Sequence, residues 1–234
     1  MAILECKSVS KSYGGAKALE DVNIDVGEKQ VLGLIGPNGA GKSTLIDIIS
    51  GFTRADSGSV TFMGKEITRM TPHDISNRGL ARTFQLCKNF NFMTVWENIL
   101  VGSKSGVGEE QKKLADKILM DFDFGPLRNQ SPAHLAYGEQ KMIEIARISM
   151  SNPKVAMLDE PSSGVDKKSQ DRIISYINTN LRNQAAVLLV EHNMTVVENV
   201  CDELVVLDRG KVICQGKPSE VLRDARVVAS YFGK

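Results

Sequence analysis

Gly36-Pro37-Asn38-Gly39-Ala40-Gly41-Lys42-Ser43-Thr44 is the stretch on which the reading of this chain turns. It follows a near-continuous apolar run over residues 30–35 and leads into a helical pattern over 42–50. Such a run suits a strand covered on both faces, and the glycines let the chain turn before the helix begins. Successive backbone N–H groups of this kind of loop point inward onto phosphate oxygens. The helix N-terminus adds its positive dipole end, and Lys42 reaches the β- and γ-phosphates. Ser43 offers its hydroxyl to Mg²⁺. Taken alone, the loop predicts a nucleoside triphosphate site and says nothing of its use.

The second stretch with chemistry is Val155-Ala156-Met157-Leu158-Asp159-Glu160, an apolar strand ending in two carboxylates. An open α/β sheet places its ligands at such carboxyl ends. Asp159 is expected to hold Mg²⁺ through water. Glu160, one residue on, is placed to orient or deprotonate the water that attacks the γ-phosphate, because phosphoryl transfer depends on positioning and electrostatics.

Around these segments the pattern is of strands at 3–9 and 19–26, divided by Ser12-Tyr13-Gly14-Gly15, and a further strand at 58–62. Residues 85–150 change character, with helical patterns at 95–100, 110–122 and 139–150. Strand character returns at 155–158, 186–190, 203–207 and 212–214, with helices near 168–181 and after Asn193. One α/β domain with an inserted helical lobe accounts for this order.

Composition narrows the function. With 29 Lys plus Arg against 28 Asp plus Glu, bulk charge points to no nucleic acid partner. Cys6, Cys87, Cys201 and Cys214 have no CxxC spacing and read as reduced, mostly buried thiols. The longest apolar stretches, such as 185–190, are far short of the roughly 20 residues of a membrane-spanning helix. The first residues also lack the pattern of a secretory signal, so a cytosolic chain is expected.

Leu135-Ala136-Tyr137-Gly138-Glu139, ahead of residues 140–147, resembles the signature motif of ATP-binding cassette proteins. That family combines it with the two motifs above, and the resemblance covers essentially the whole chain. It implies a P-loop NTPase (RecA-like) core with an antiparallel β subdomain and an inserted α-helical subdomain. The division it implies is a core at 1–84 and 151–234 and a helical part at 85–150, in one nucleotide-binding domain over 1–234. ATP and Mg²⁺ are the implied cofactors, with Ser43, Gln85 and Asp159 toward the metal. Glu160, His192 (the switch histidine) and Gln85 (the Q-loop) are implied to be catalytic. Tyr13 would stack on adenine. Residues Gly36, Pro37, Asn38, Gly39, Ala40, Gly41, Lys42, Ser43 and Thr44 would hold the phosphates of one subunit. The signature and the D-loop Ser163-Gly164-Val165-Asp166 would serve the nucleotide across a dimer. Ala136, Tyr137 and Glu139 depart from the family's Ser, Gly and Gln. The Gly138 backbone and the dipole of the following helix are expected to retain most of the anion binding.

Arg82-Thr83-Phe84-Gln85, Val190-Glu191-His192-Asn193-Met194 and the ending Val228-Ala229-Ser230-Tyr231-Phe232-Gly233 resemble the ATPases of branched-chain amino-acid importers. Close relatives of that group serve urea or short amides. The resemblance implies a peripheral subunit at the cytoplasmic face of the inner (cell) membrane. Its partners would be hydrophobic permease subunits, a second cassette ATPase (in a homodimer or a heterodimer) and, indirectly, a periplasmic or extracellular solute-binding protein. The lipopolysaccharide-export ATPase shares several of these motifs and is the alternative. A soluble cassette protein without a membrane partner is disfavoured by the lack of tandem motifs and sustained heptads. Phe90, Phe92 and Met93 read equally as core or as a groove for a permease segment, whereas Val95 and Trp96 read as core.

Overall fold

The computed structural model describes residues 1–85 and 87–232, with the backbone alone at Phe232. Gly233, quoted above in the C-terminal ending, lies outside the described residues. The chain opens with a long antiparallel hairpin, β1 (Ala2–Tyr13) and β2 (Ala16–Gly27). Tyr13 pairs with Ala16, so Gly14 and Gly15 form a two-residue turn at φ +54° and +88°. Positive φ at both turn positions matches the right-handed twist of the flanking strands. This is why the strands run several residues further toward the turn than the apolar pattern alone predicts.

After β3 (Val31–Ile35) and α1 (Lys42–Ile49), β4 (Ser57–Phe62) pairs antiparallel with β1, and β5 (Lys65–Glu66) pairs with β4. These strands make a four-stranded antiparallel sheet in the order β2-β1-β4-β5. The chain then passes through α2 (Pro72–Asn77), capped by the Thr71 hydroxyl, into the three-residue strand β6 (Leu80–Arg82). Between Gln85 and Met150 the described regular elements are all helical, chiefly α3 (Val95–Leu100), α4 (Glu109–Asp121) and α5 (Tyr137–Met150). The remainder comprises β7 (Val155–Asp159), α6 (Lys167–Tyr176), α7 (Arg182–Gln184), β8 (Ala186–Val190), α8 (Met194–Val200), β9 (Glu203–Asp208), β10 (Lys211–Gly216), α9 (Pro218–Val221) and α10 (Ala225–Phe232).

The second sheet has the order β10-β9-β3-β8-β7-β6, all parallel except β10. Both of its faces are covered, which explains why its inner strands are apolar between their ends. Val31 and Ile35 of β3, Ala156 and Leu158 of β7 and Val187 and Leu189 of β8 join one core with α3, α4, α5 and α6. Their neighbours Leu32 and Leu34, Val155 and Met157, and Ala186 and Leu188 join the other core with α1 and the hairpin. No helix among the described residues is long and apolar enough to cross a membrane.

Among the features that escaped the sequence reading, two bear on the site. At three residues β6 is too short to show alternation, yet its parallel pairing with β7 carries Thr83, Phe84 and Gln85 to the same sheet end as Asp159. The helix α5 begins at Tyr137, two residues earlier than expected. Ala136 is its N-cap, and the Ala136 N–H donates to Glu139 Oε2 at 3.0 Å. Val95 is buried, and Trp96 packs against the same core with its Nε1–H donated to Asp116, both as expected. Phe92, by contrast, is 83 % exposed.

At Gly36, φ is +150° and a Cβ would lie 2.0 Å from the Leu207 carbonyl oxygen of β9. No rotamer relieves a clash with backbone. Gly36→Ala is therefore expected to destabilise the fold by roughly 3 kcal/mol or more, read as a lowered midpoint of urea unfolding.

Candidate active site

The carboxyl ends of β3, β7 and β8 open into one cleft of about 410 Å³. It is lined by Ala18, Asn38, Gly39, Ala40, Gly41, Lys42, Ser43, Thr44, Gln85, Glu160 and His192. Gly41 is the N-cap of α1 and provides no side-chain cap, so the first-turn N–H groups are left for an anion. Lys42 is only 6 % exposed and donates from Nζ to the carbonyls of Gly36 at 2.7 Å and Pro37 at 3.0 Å. Burial lowers its pKa, against the pull of Glu160 and Asp159. An ammonium held by its own loop's carbonyls is placed to exchange them for phosphate oxygens.

Asp159 ends β7. Its N–H donates to Thr83 Oγ1 at 2.9 Å, and its Oδ2 accepts from Arg82 Nη2 at 3.2 Å. Burial pushes its carboxyl pKa up, and the Arg82 guanidinium opposes that rise. Glu160 follows with φ +49°, in the left-handed region, while its N–H continues the sheet pairing by donating to Val190 O at 2.9 Å. A residue other than glycine held there carries local strain of the kind concentrated at functional sites. Its two carboxylate oxygens are bracketed: His192 Nε2 lies 2.9 Å from Oε1, and Gln85 Nε2 donates to Oε2 at 3.4 Å.

Two supporting residues were missed from the sequence. Lys141, buried on α5, donates to the carbonyl of Gln85 at 2.8 Å and to that of Glu160 at 3.5 Å. Glu191 is 2 % exposed and accepts from the N–H groups of Ser162, His192 and Asn193. It thereby fastens the end of β8 to the loop after Glu160. The place of Glu191 directly before His192 was the one signal in the sequence, and its burial, rare for a carboxylate without partners, shows only in the fold.

The remaining expected residues do not line the cleft. Tyr13 stands at the hairpin turn, 50 % exposed, with Lys11 Nζ 5.4 Å from its ring centroid. Leu135, Ala136, Tyr137, Gly138 and Glu139 gather at the start of α5, against the segment Gly164 to Ser169. A Cβ at Gly138 would lie 2.2 Å from Ser169 Oγ, and one at Gly164 would lie 3.3 Å from Tyr137 Cε1. Asp166 caps α6 by accepting from the Ser169 N–H and hydroxyl, each at 2.9 Å, and those bonds hold its pKa down. The motif residues thus form two surfaces: the cleft, and a patch at the N-terminus of α5.

The chain is similar to known proteins over its whole length. The ABC transporter family matches residues 19–163. A probable branched-chain amino acid transport ATP-binding protein, LivG of Archaeoglobus fulgidus, is 35% identical over 248 residues, covering 100% of this chain and 96% of that one. The lipopolysaccharide export system ATP-binding protein LptB of Haemophilus influenzae is 34% identical over 238 residues, covering 100% and 98%. The solved ADP conformation of an ATP-binding cassette of an ABC transporter superposes with a TM-score of 0.91 at 35% identity, with 100% of both chains covered. With most of its length matched by the family and all of it matched by relatives, the chain belongs to the ABC transporter family, as an ATP-hydrolysing subunit with the P-loop NTPase fold.

Proposed function

We propose that the chain powers an importer of branched-chain amino acids or of a related small polar solute such as urea, as one of two cassette subunits beneath hydrophobic permease subunits. The observation that carries the catalytic part is the bracketing of Glu160 by His192 and Gln85 at the mouth of the phosphate-loop cleft. The importer branch is supported by the full-length similarity to LivG. A separate solute-binding protein outside the membrane would deliver the solute, and the ATPase would sit at the cytoplasmic face of the inner membrane.

The two motif surfaces support a dimer. The patch at the start of α5 lies outside the cleft of its own chain, so a second subunit would set its patch over this chain's cleft and cap the γ-phosphate. Tyr13, exposed on the hairpin, would stack on adenine. In that closed pair Lys42 binds the β- and γ-phosphates, and the uncapped first turn of α1 adds its N–H groups. Glu160 orients and deprotonates the attacking water, and His192 and Gln85 hold the water and the γ-phosphate in line.

Among the described residues no group of three or more His, Cys, Asp or Glu could hold a metal by themselves. The oxygens of Ser43, Asp159 and Gln85 nevertheless fit Mg²⁺, which takes few protein ligands and completes its shell with phosphates and water. When bound there it would neutralise charge on the phosphate oxygens.

An apolar groove beside the site is lined by Phe52, Phe84, Val101 and Ile148 and would receive a permease segment. Gln85 follows Phe84 directly, so motion in that groove would reach the catalytic glutamine. The second reading, a lipid-export ATPase, is favoured by the LptB similarity, at nearly the same identity and coverage. Purification from native membranes in mild detergent with mass spectrometry separates the readings. Amino-acid-type permeases and a second cassette subunit support import, and envelope lipid-export subunits overturn it.

Glu160→Gln is expected to leave ATP binding intact, slow turnover by about 100-fold or more, and trap an ATP-bound dimer in size-exclusion chromatography. Near-normal turnover would remove Glu160 from its role. The Ala136 N–H is already bonded to Glu139, and the helix end needs no hydroxyl to attract an anion. Ala136→Ser is accordingly expected to change the steady-state hydrolysis rate by less than about tenfold.

A further inference from the structure

Arg82 ends β6 with its side chain 10 % exposed, and the mechanism above gives it no part. Its guanidinium nonetheless joins three elements. Nη2 donates to Asp159 Oδ2 on β7 at 3.2 Å, while Nη1 donates to Asp47 Oδ1 on α1 at 2.5 Å and to Ser50 Oγ at 3.0 Å. The guanidinium carbon lies 5.8 Å from the ring centroid of Phe52 and 5.3 Å from that of Phe84. Those two rings meet edge to face at 5.8 Å in the wall of the apolar groove, where Arg82 is itself a lining residue. Among the described residues Nε has no hydrogen-bond partner, and the side chain is held by its forked end and its flat face. A lysine could reach one carboxylate as a point charge and would offer no plane to the rings.

Asp159 is buried, and consecutive residues fix both of its ends: the Thr83 hydroxyl its backbone, the Arg82 fork its side chain. We infer that Arg82 is the positioning residue for the metal-facing carboxylate, holding Asp159 by Oδ2 so that Oδ1 is left for the ion, and tying that orientation to α1 and to the groove wall. The inference rests on the reading that Asp159 serves Mg²⁺ at the nucleotide. Arg82 is not among the residues lining the cleft and acts through Asp159. Partners that orient a metal-binding carboxylate commonly change metal affinity by 10- to 100-fold when removed.

The test is calorimetric binding of a non-hydrolysable ATP analogue to the full chain, in Mg²⁺ and in EDTA. The proteins compared are the wild type, Arg82→Met, Arg82→Lys, Asp159→Asn and the Arg82→Met/Asp159→Asn double variant. In EDTA all are expected to bind within about threefold of one another, because the phosphate loop is untouched. The gain in affinity that Mg²⁺ confers is expected to fall about tenfold or more in Arg82→Met and by less in Arg82→Lys. In the Asp159→Asn background, replacing Arg82 should cost no further gain, which a merely structural role would not produce.

An unchanged Mg²⁺ gain in Arg82→Met overturns the inference, as does an equal loss in EDTA or an additive loss in the double variant. A gain that survives Asp159→Asn overturns the metal reading of Asp159, and the inference with it. Should Arg82→Met not fold, Arg82→Lys decides: a partial loss confined to Mg²⁺ supports the role, and full retention overturns it.

Discussion

The six-stranded sheet is buried on both faces, and the rest of the molecule answers to that burial. A parallel strand covered on two sides has no polar position to spare until it reaches its end. Val155 to Leu158 and Ala186 to Val190 are accordingly apolar throughout, and the polar chemistry begins at Asp159 and Glu191. Parallel neighbours end on the same side. The apolar demand of the core therefore delivers the phosphate loop after β3, the carboxylates after β7 and His192 after β8 to one edge.

What happens at that edge is a matter of restraint. Glu160 sits at a backbone angle that side chains seldom adopt, and its N–H is pinned to Val190 O. Lys141 reaches from α5 to its carbonyl, and Glu191 ties the neighbouring loops together by three N–H groups. These contacts accompany a Glu160 carboxylate within hydrogen-bonding reach of both His192 and Gln85. The catalysis by positioning proposed for these residues would draw on such restraint, because transferring a phosphoryl group leaves the protein little else to contribute. The same α5 begins at the signature residues, so the helix that steadies Gln85 also presents the surface proposed for the second subunit.

The local patterns carried much of the architecture. The glycine-rich loop between an apolar strand and a helix was legible because its chemistry is local: backbone N–H groups and one lysine within nine residues. Alternation and apolar runs located β3, β4, β7, β8 and β9, since burial leaves its period in the sequence. The three-residue β6 left no period, and α2 announces itself only through Thr71 and Pro72. The hairpin turn was visible in its glycines, but the full length of β1 and β2 was not, because the outer residues are half exposed and polar.

The sequence by itself determined the α/β class, the triphosphate loop and the order of the motifs, because each depends on residues close together in the chain. Only the tertiary structure decided which distant residues meet. It set Gln85 and His192 on either side of Glu160, placed the signature residues against Asp166 and Ser169 and away from the cleft, and lodged Arg82 between Asp159, Asp47 and the two phenylalanines. Buried Lys141 and Glu191 belong to the same class. A charged residue reads as surface until folding shows the partners that let it be buried, and those partners come from other strands and helices.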